Sequence, residues 1–307
     1  MTNSSNASTR WSPTPDARTR RASVSVPTPP RVILVEPAGG ANVGAVCRAV
    51  KNMDAGALVT VGGSYDHEQA RRMAVHAGDI LESCERTETL QEALRGCGRV
   101  IGTTARRGPY RHRVADIRDL VRECIAGAAR DDLPVAFVFG PEDRGLSNRE
   151  VALCHRLVRI PSSAAYSSLN LAQSVMICLY EFRRARLEYE HSVDAGRRVR
   201  AAGAVTPAAD AGAATPVAGA GAVTPAADAA DLEAAYVALE EALLAIGFLS
   251  EDNPGHMMAT IRGLLGRAVP DPREVRVVRG LARQILWFAG EGRAIARNKH
   301  EQGKKLR

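Results

Sequence analysis

The stretch from Phe139 to Val175, FGPEDRGLSNREVALCHRLVRIPSSAAYSSLNLAQSV, constrains this chain most. The run PVAFVF, Pro134 to Phe139, reads as a buried strand that ends on Gly140 and a turn-prone loop, GPEDRGL. A second apolar run, Leu157 to Ile160, ends at Pro161. The loop SSAAYSSLN then opens directly into a helical pattern from Leu169 to Tyr189. In α/β proteins the carboxyl ends of strands and the N-termini of helices converge on ligands. Two strand ends and one helix start, this close in sequence, let two loops close around one small molecule.

Upstream, strands and helices alternate. RVILVE (Arg31 to Glu36), Ala57 to Val61, a strand near Ile80 and RVIGT (Arg99 to Thr103) read as strands. Val43 to Met53, stopped by Gly56, then His67 to Ala77, Thr89 to Leu94 and Asp116 to Ala129 read as helices. Ser147 and Glu150 have the spacing of a capping box for a short helix between the last two strands. The fold class is therefore α/β, a parallel sheet with helices on both faces.

At 307 residues the chain is long enough for two domains, with a 31–190 α/β domain followed by a 231–290 helical one. Between them, residues 191–230 lose helical periodicity, and GAVTPAADA occurs at 203–211 and again at 221–229. That composition reads as a linker. The three helical patterns after it are Leu232 to Ile246, Pro254 to Leu265 and Glu274 to Phe288.

The net charge of +7 sits in the tails. Residues 1–30, which read as a disordered extension, and Arg31 carry five Arg against Asp16, leaving +4. The 291–307 tail carries six Lys and Arg against Glu291 and Glu301, again +4. Basic tails on a near-neutral body suit a polyanion such as nucleic acid, or serve as solvated tails. The six cysteines are scattered without a CxxC, and the seven histidines form no HxxxH. These patterns argue against a structural metal and for a reducing compartment, the cytoplasm. No apolar run approaches the ~20 residues of a membrane span.

Several loops could carry chemistry. Gly39-Gly40-Ala41-Asn42-Val43-Gly44 follows a strand and precedes a helix, but Ala45 and Val46 stand where a phosphate loop needs Lys-Ser/Thr, and GxGxxG is absent. What remains is Asn42 and, further into the helix, Arg48. Arg48 reads as a holder of phosphate or of a developing oxyanion, or as a solvent-facing arginine. Thr103-Thr104-Ala105 is small and polar, so a ligand can approach its backbone. The cluster Arg106, Arg107, Arg111, His112, Arg113 beside it could meet a phosphate backbone, with Tyr110 stacking on a base, or be a solvated loop. In GPEDRGL, Glu142 and Asp143 could act as a paired-carboxylate site, though adjacent side chains usually point apart, and Gly140 and Gly145 allow a tight turn against a ligand. Ser168, Leu169 and Asn170 precede a helix whose free N–H groups can hold a carboxylate or an adenine edge, with Ser167 or Ser168 as the ordinary N-cap. No serine-nucleophile elbow is present.

Taken together, NVGAVCRAVKNM, GTTAR, VFGPEDRGLSN and IPSSAAYSSLNLAQSV resemble the three-motif signature of SPOUT RNA methyltransferases, and within them the TrmJ-type tRNA 2′-O-methyltransferase family. LEEALLAIGFLSEDNPGHMMATIRGLLGRA followed by VVRGL resembles that family's helical C-terminal domain. The resemblance implies a C-terminal trefoil knot, a rare exception to the usual rules of chain connection. It implies S-adenosylmethionine held at Thr103, Thr104, Ala105, Gly140, Ile160, Ser168, Leu169 and Asn170. It implies a homodimer in which Arg48 faces the partner's cofactor, with no metal and no membrane. The target would be a pyrimidine ribose at anticodon-loop position 32 of tRNA. Asn42, Glu142, Ser168 and Asn170 would position groups around Arg48, and Arg106, Arg107, Arg111 and Arg113 would meet RNA. Two alternatives remain: the same chemistry on another tRNA position or on rRNA, and a catalytically silent RNA-binding homologue. The complete set of Asn42, Arg48, Glu142 and SSLN speaks against the silent one. A nicotinamide-dependent oxidoreductase ranks behind both, for want of its glycine fingerprint.

Overall fold

The structure is a computed structural model. It describes residues 27–106, 114–131, 133–201, 226–250 and 254–292. The strands among them are β1 (Arg31–Val35), β2 (Leu58–Val61), β3 (Glu85–Thr87), β4 (Arg99–Thr103), β5 (Val114–Ala115), β6 (Val135–Phe139) and β7 (Arg156–Val158). They form one sheet in the order β3-β2-β1-β6-β4-β7-β5, and every neighbouring pair is parallel. The centre is the pairing of β1 with β6, in which Val32 lies opposite Phe137 and Leu34 opposite Phe139.

Side chains alternate across a strand, so these apolar runs supply both faces at once. Val32, Leu34, Ile101, Phe137, Phe139 and Val158 face one core. Helices α1 (Gly40–Asn52), α2 (His67–Ala74), α5 (Ile117–Asp131) and α7 (Leu171–Ala201) cover that core. Ile33, Val35, Val59, Val100, Ala136 and Val138 face the other, under α4 (Leu90–Ala93) and α6 (Asn148–Ala152). The aromatic share of the core is small; Phe137 meets Phe182 of α7 edge-on at 6.0 Å.

Several local expectations are corrected. Gly78–Glu82 is a helical turn, α3, where a strand was expected near Ile80. Ile80 and Leu81 both pack on the same core, which a strand forbids for adjacent residues. The strand instead follows at Glu85–Thr87, where exposure leaves no apolar signal. Helix α1 begins at Gly40 and ends at Asn52, before Gly56. Asp54 takes the left-handed turn (φ 52°) that ends it, and Gly56 donates to the Pro30 carbonyl. Helix α7 runs on to Ala201, into the stretch assigned to the linker. The capping box of Ser147 and Glu150 on α6 is formed in both directions.

After residues 202–225, which lie outside the described residues, three helices follow. They are α8 (Ala229–Ala245), α9 (Pro254–Ala268) and α10 (Pro272–Trp287). Leu232, Tyr236, Leu249, Met258 and Val275 form their shared core. The Arg262 guanidinium lies 4.6 Å from the Tyr236 ring centroid and pairs with Glu233. The end of the second repeat copy is itself part of the structure. Asp228 caps α8 by accepting from Ala230 N–H (2.7 Å), and its other oxygen accepts from Gly96 N–H (2.6 Å). Ala229 N–H donates to the Cys97 carbonyl, so this short segment ties α8 to the α/β body. On the other side Gly266 lets α9 lie against His155, whose Cα a side chain at that position would meet at 3.2 Å.

Asp228→Ala removes a helix cap and leaves the Gly96 N–H without its acceptor. It should lower unfolding stability by about 1–2 kcal/mol, read as a lower urea midpoint. Asp228→Asn keeps one acceptor where two N–H groups each need one, so it should recover only part of the loss. An unchanged midpoint in Asp228→Ala would mean that the segment does not hold α8 in place.

Candidate active site at the ends of β4, β6 and β7

The sheet's parallel strands deliver their carboxyl ends to one side, and a cavity of about 330 Å³ opens there. That volume is in the range of small-ligand sites. Thr103, Thr104, Ala105 and Arg106 border it after β4, Gly140 to Leu146 after β6, and Val158 and Ile160 at the end of β7. Ser167, Ser168 and Leu169 close it beside the first turn of α7, which adds Leu171 and Ser174. Gly140, Ile160 and Leu169, which come from separate segments, thus share one hollow. Thr103, Thr104, Ala105, Ser168 and Arg106 share it too. Arg107, Arg111 and Arg113, with Tyr110, lie outside the described residues.

The loop after β6 is drawn tightly on itself. Gly145 N–H donates to the Pro141 carbonyl at 2.8 Å, and Gly145 has φ 61°. A Cβ on Gly140 would stand 2.3 Å from both the Gly145 carbonyl carbon and the Leu146 nitrogen. Both atoms are backbone, so no side chain is tolerated there without moving the cavity wall.

Asn42 and Asn170 do not line the cavity but brace it. Asn170 caps α7: its Oδ1 accepts from Ala172 N–H (2.9 Å) and Gln173 N–H (3.3 Å). The residue filling that role is Asn170, where Ser167 or Ser168 was expected. Because Oδ1 faces two donors, Nδ2 points outward and donates to Asn42 Oδ1 at 2.8 Å. Asn42 Nδ2 is then left to donate to Glu142 Oε1, also at 2.8 Å. An acceptor-only carboxylate at one end and backbone donors at the other fix both amide orientations. The relay joins α7, α1 and the loop after β6.

Glu142 also accepts from Ala38 N–H and Gly39 N–H, at 3.4 and 3.3 Å, at the start of α1. Helix α1 has no acidic residue in its first turn and no side-chain cap of its own. A carboxylate from another loop fills that place, where the helix dipole favours it. Burial works against ionisation of Glu142, but the hydrogen bonds from Asn42 and the surrounding backbone N–H groups outweigh it and hold the carboxyl below its ordinary value. At neutral pH Glu142 is therefore charged and occupied as an acceptor. It does not form a pair with Asp143, whose carboxylate turns back to accept from Arg144 N–H.

Arg48 lies on the exposed side of α1 and is not among the residues bordering the cavity of its own chain. The glycines ahead of it serve packing. A Cβ on Gly40 would meet the Asp66 carbonyl oxygen at 2.2 Å, and one on Gly44 the Ala70 carbonyl oxygen at 2.2 Å. They let α1 press against α2, which accounts for the phosphate-loop look of the segment without a phosphate. Arg144 also borders the cavity and was not singled out by the sequence; its only signal was a cation between two glycines in a turn-prone loop.

The cysteines are not activated as nucleophiles. Burial pushes the thiols of Cys47, Cys154 and Cys178 up to about 12. Burial, with the nearby Arg99 charge, pulls His155 down to about 4. The described cavity lining contains no His, Cys or Lys. No described helix is long and apolar enough to cross a membrane, and no group of three potential metal ligands converges among the described residues.

Comparison with known proteins gives concordant results. The SpoU rRNA Methylase family matches residues 29–180, and the C-terminal domain of tRNA methyltransferase TrmJ matches residues 230–300. The tRNA (cytidine/uridine-2′-O-)-methyltransferase TrmJ of Escherichia coli (strain K12) is 36% identical over 256 residues, which span 83% of this chain and 94% of that protein. The TrmJ of Shigella flexneri matches to the same extent. Among solved structures, TrmJ from Z. mobilis ZM4 superposes with a TM-score of 0.64 at 25% identity, covering 83% of this chain and 98% of that one.

A carboxylate held low contributes stability that is complete above its unfolded-state pKa and is lost as pH falls through its folded-state value. The difference in melting temperature between the native chain and Glu142→Gln should therefore be largest at neutral pH and shrink on acidification through and below the ordinary glutamate range. A difference independent of pH would contradict the ionised, acceptor-only state of Glu142.

Proposed function

The chain belongs to the TrmJ family of tRNA methyltransferases within the SpoU methylases, and from that premise we propose that it methylates the 2′-hydroxyl of a pyrimidine ribose in tRNA, at position 32 of the anticodon loop, using S-adenosylmethionine. The carrying observation is the cavity at the ends of β4, β6 and β7, closed by three loops and braced by the amide relay.

The cavity suits that cofactor chemically. Its walls combine apolar surface from Leu146, Val158, Ile160, Leu169 and Leu171 with hydroxyls from Thr103, Thr104, Ser168 and Ser174. An adenosine with an amino-acid tail needs that mixture of ring-covering surface and polar contacts. Thr103, Thr104, Ala105, Gly140, Ile160, Ser168 and Leu169 would hold it, with Asn170 setting the last loop in place. When bound, the cofactor supplies an electrophilic sulfonium methyl group.

The chain's own task is alignment and charge stabilisation. The ribose oxygen must be held in line with the methyl group. It must also be stabilised as it loses its proton. A guanidinium is always protonated and cannot take that proton, which passes to solvent water. Arg48 therefore orients the adjoining phosphate and stabilises the developing oxyanion. Glu142, already charged and occupied by three hydrogen bonds, positions Asn42 and the start of α1. Because Arg48 stands apart from the cavity of its own chain, the reading calls for a homodimer, in which Arg48 of the partner subunit reaches the ribose. Arg106 at the cavity edge contributes to the path of the RNA backbone, and Arg107, Arg111 and Arg113 follow it in sequence. The same reading places the trefoil knot in the segment from β6 to α7, and the reaction in the cytoplasm with its tRNA.

A methylation assay with labelled cofactor on a tRNA pool and, in parallel, on rRNA, followed by nucleoside analysis, tests the reading. The expected products are 2′-O-methylated cytidine and uridine, and label in rRNA alone would overturn the substrate. Arg48→Ala should lower methyl transfer by about 100-fold or more, the cost of removing one stabilising donor, while calorimetric binding of S-adenosylhomocysteine survives. Lost cofactor binding in that variant would show that Arg48 supports the cavity rather than the ribose.

A further inference from the structure

Arg144 is the one cation inside the loop that walls the cavity after β6, and its guanidinium is engaged on three sides. Its Nη2 donates to Glu36 Oε2 at 2.7 Å, just beyond β1. Its Nη1 donates to the Gly145 carbonyl at 3.2 Å and to Glu150 Oε2 of α6 at 3.4 Å. The Glu36 backbone and the Glu150 carboxylate are each held by contacts other than Arg144. Glu36 has a left-handed backbone (φ 45°), its N–H bonds the Val61 carbonyl, and Gly63 packs against its Cα. Glu150 is held by the capping box with Ser147.

An exposed pair of this kind adds little to global stability. Its geometry matters locally. Two residues before Arg144, Glu142 fastens the same loop to Ala38, Gly39 and Asn42. The loop is thus moored twice to residues 36–42, once by an anion and once by a cation, and the Gly145–Pro141 hydrogen bond closes the turn around both moorings. Without the second mooring, the turn through Arg144 and Gly145 loses its links to Glu36 and Glu150.

Resting on the methyltransferase reading above, we propose that Arg144 is a positioning residue for methyl-donor binding: it holds residues 140–146 in the binding shape through Glu36 and Glu150, without touching the reacting atoms. A positioning role of this kind alters donor affinity and loop order, and leaves turnover at saturating donor nearly intact.

The test compares the native full-length chain with Arg144→Ala, Arg144→Lys, Glu36→Gln and the double variant Arg144→Ala/Glu36→Gln. Calorimetry measures S-adenosylhomocysteine binding, steady-state kinetics separates KM for the methyl donor from kcat, and amide hydrogen exchange is followed at Gly145 without ligand. Arg144→Ala should raise Kd and KM about tenfold, the equivalent of one lost charge-assisted contact, with kcat within about twofold. Gly145 exchange should quicken by about the same factor as local opening becomes easier. Arg144→Lys, which keeps the charge without the fork, should fall between. Glu36→Gln should weaken binding in the same direction, and the double variant should be no worse than Arg144→Ala, because the two residues act through one contact. Native binding and exchange in Arg144→Ala overturn the proposal, as does a loss confined to kcat. Weakened binding in Arg144→Ala with native Glu36→Gln also overturns it, since the link to Glu36 would then not shape the cavity. Should Arg144→Ala fail to fold, Glu36→Gln decides alone, by the same binding and exchange readouts. A native chain that binds no S-adenosylhomocysteine removes the methyltransferase reading itself, which separates the two failures.

Discussion

A single carboxylate holds the site's framework in register. Glu142 comes from the loop after β6, yet it occupies the anion position at the start of α1 and terminates an amide relay that begins at the cap of α7. Three segments far apart in sequence are thereby fixed by directional contacts, each with one permitted orientation. A hydrophobic core alone cannot do this, because apolar contacts resist separation but tolerate small rotations. The relay restrains rotation of the three segments against one another.

Much of the architecture was legible because a parallel sheet buried on both faces writes itself as continuous apolar runs. RVILV and VAFVF, the two central strands, carry that signature, and RVIGT matched residue for residue. Legibility failed where burial failed. β3, Glu-Arg-Thr at the sheet edge, exposes most of its surface and leaves no pattern. β5 has only two residues, directly after the basic loop. The adjacent apolar pair Ile80-Leu81 suggested a strand and is a helical turn packed on one face.

The site was legible as a set of loops rather than as a set of roles. The motif positions from Thr103 to Leu169 border one cavity, because strand ends and a helix start must meet there in this topology. The hydrogen-bond partners were not readable. Asn42 to Glu142 and Asn170 to Asn42 span about a hundred residues or more of chain, and no periodicity reports such contacts. The glycines of GGANVG misdirected for a physical reason: close approach to a neighbouring helix and close approach to a phosphate make the same demand on a residue.

The anchoring of Asp228 bears on how the repeated segment can vary. GAVTPAADA occurs twice, and the last residues of the second copy, which are described, are tied to Gly96 and Cys97. Both copies end in the same Ala-Ala-Asp-Ala. A slippage event in the gene that deletes one repeat unit would therefore still deliver an identical cap to α8, and a duplication would do the same. The number of residues ahead of α8 would then change while the residues that dock it stay the same.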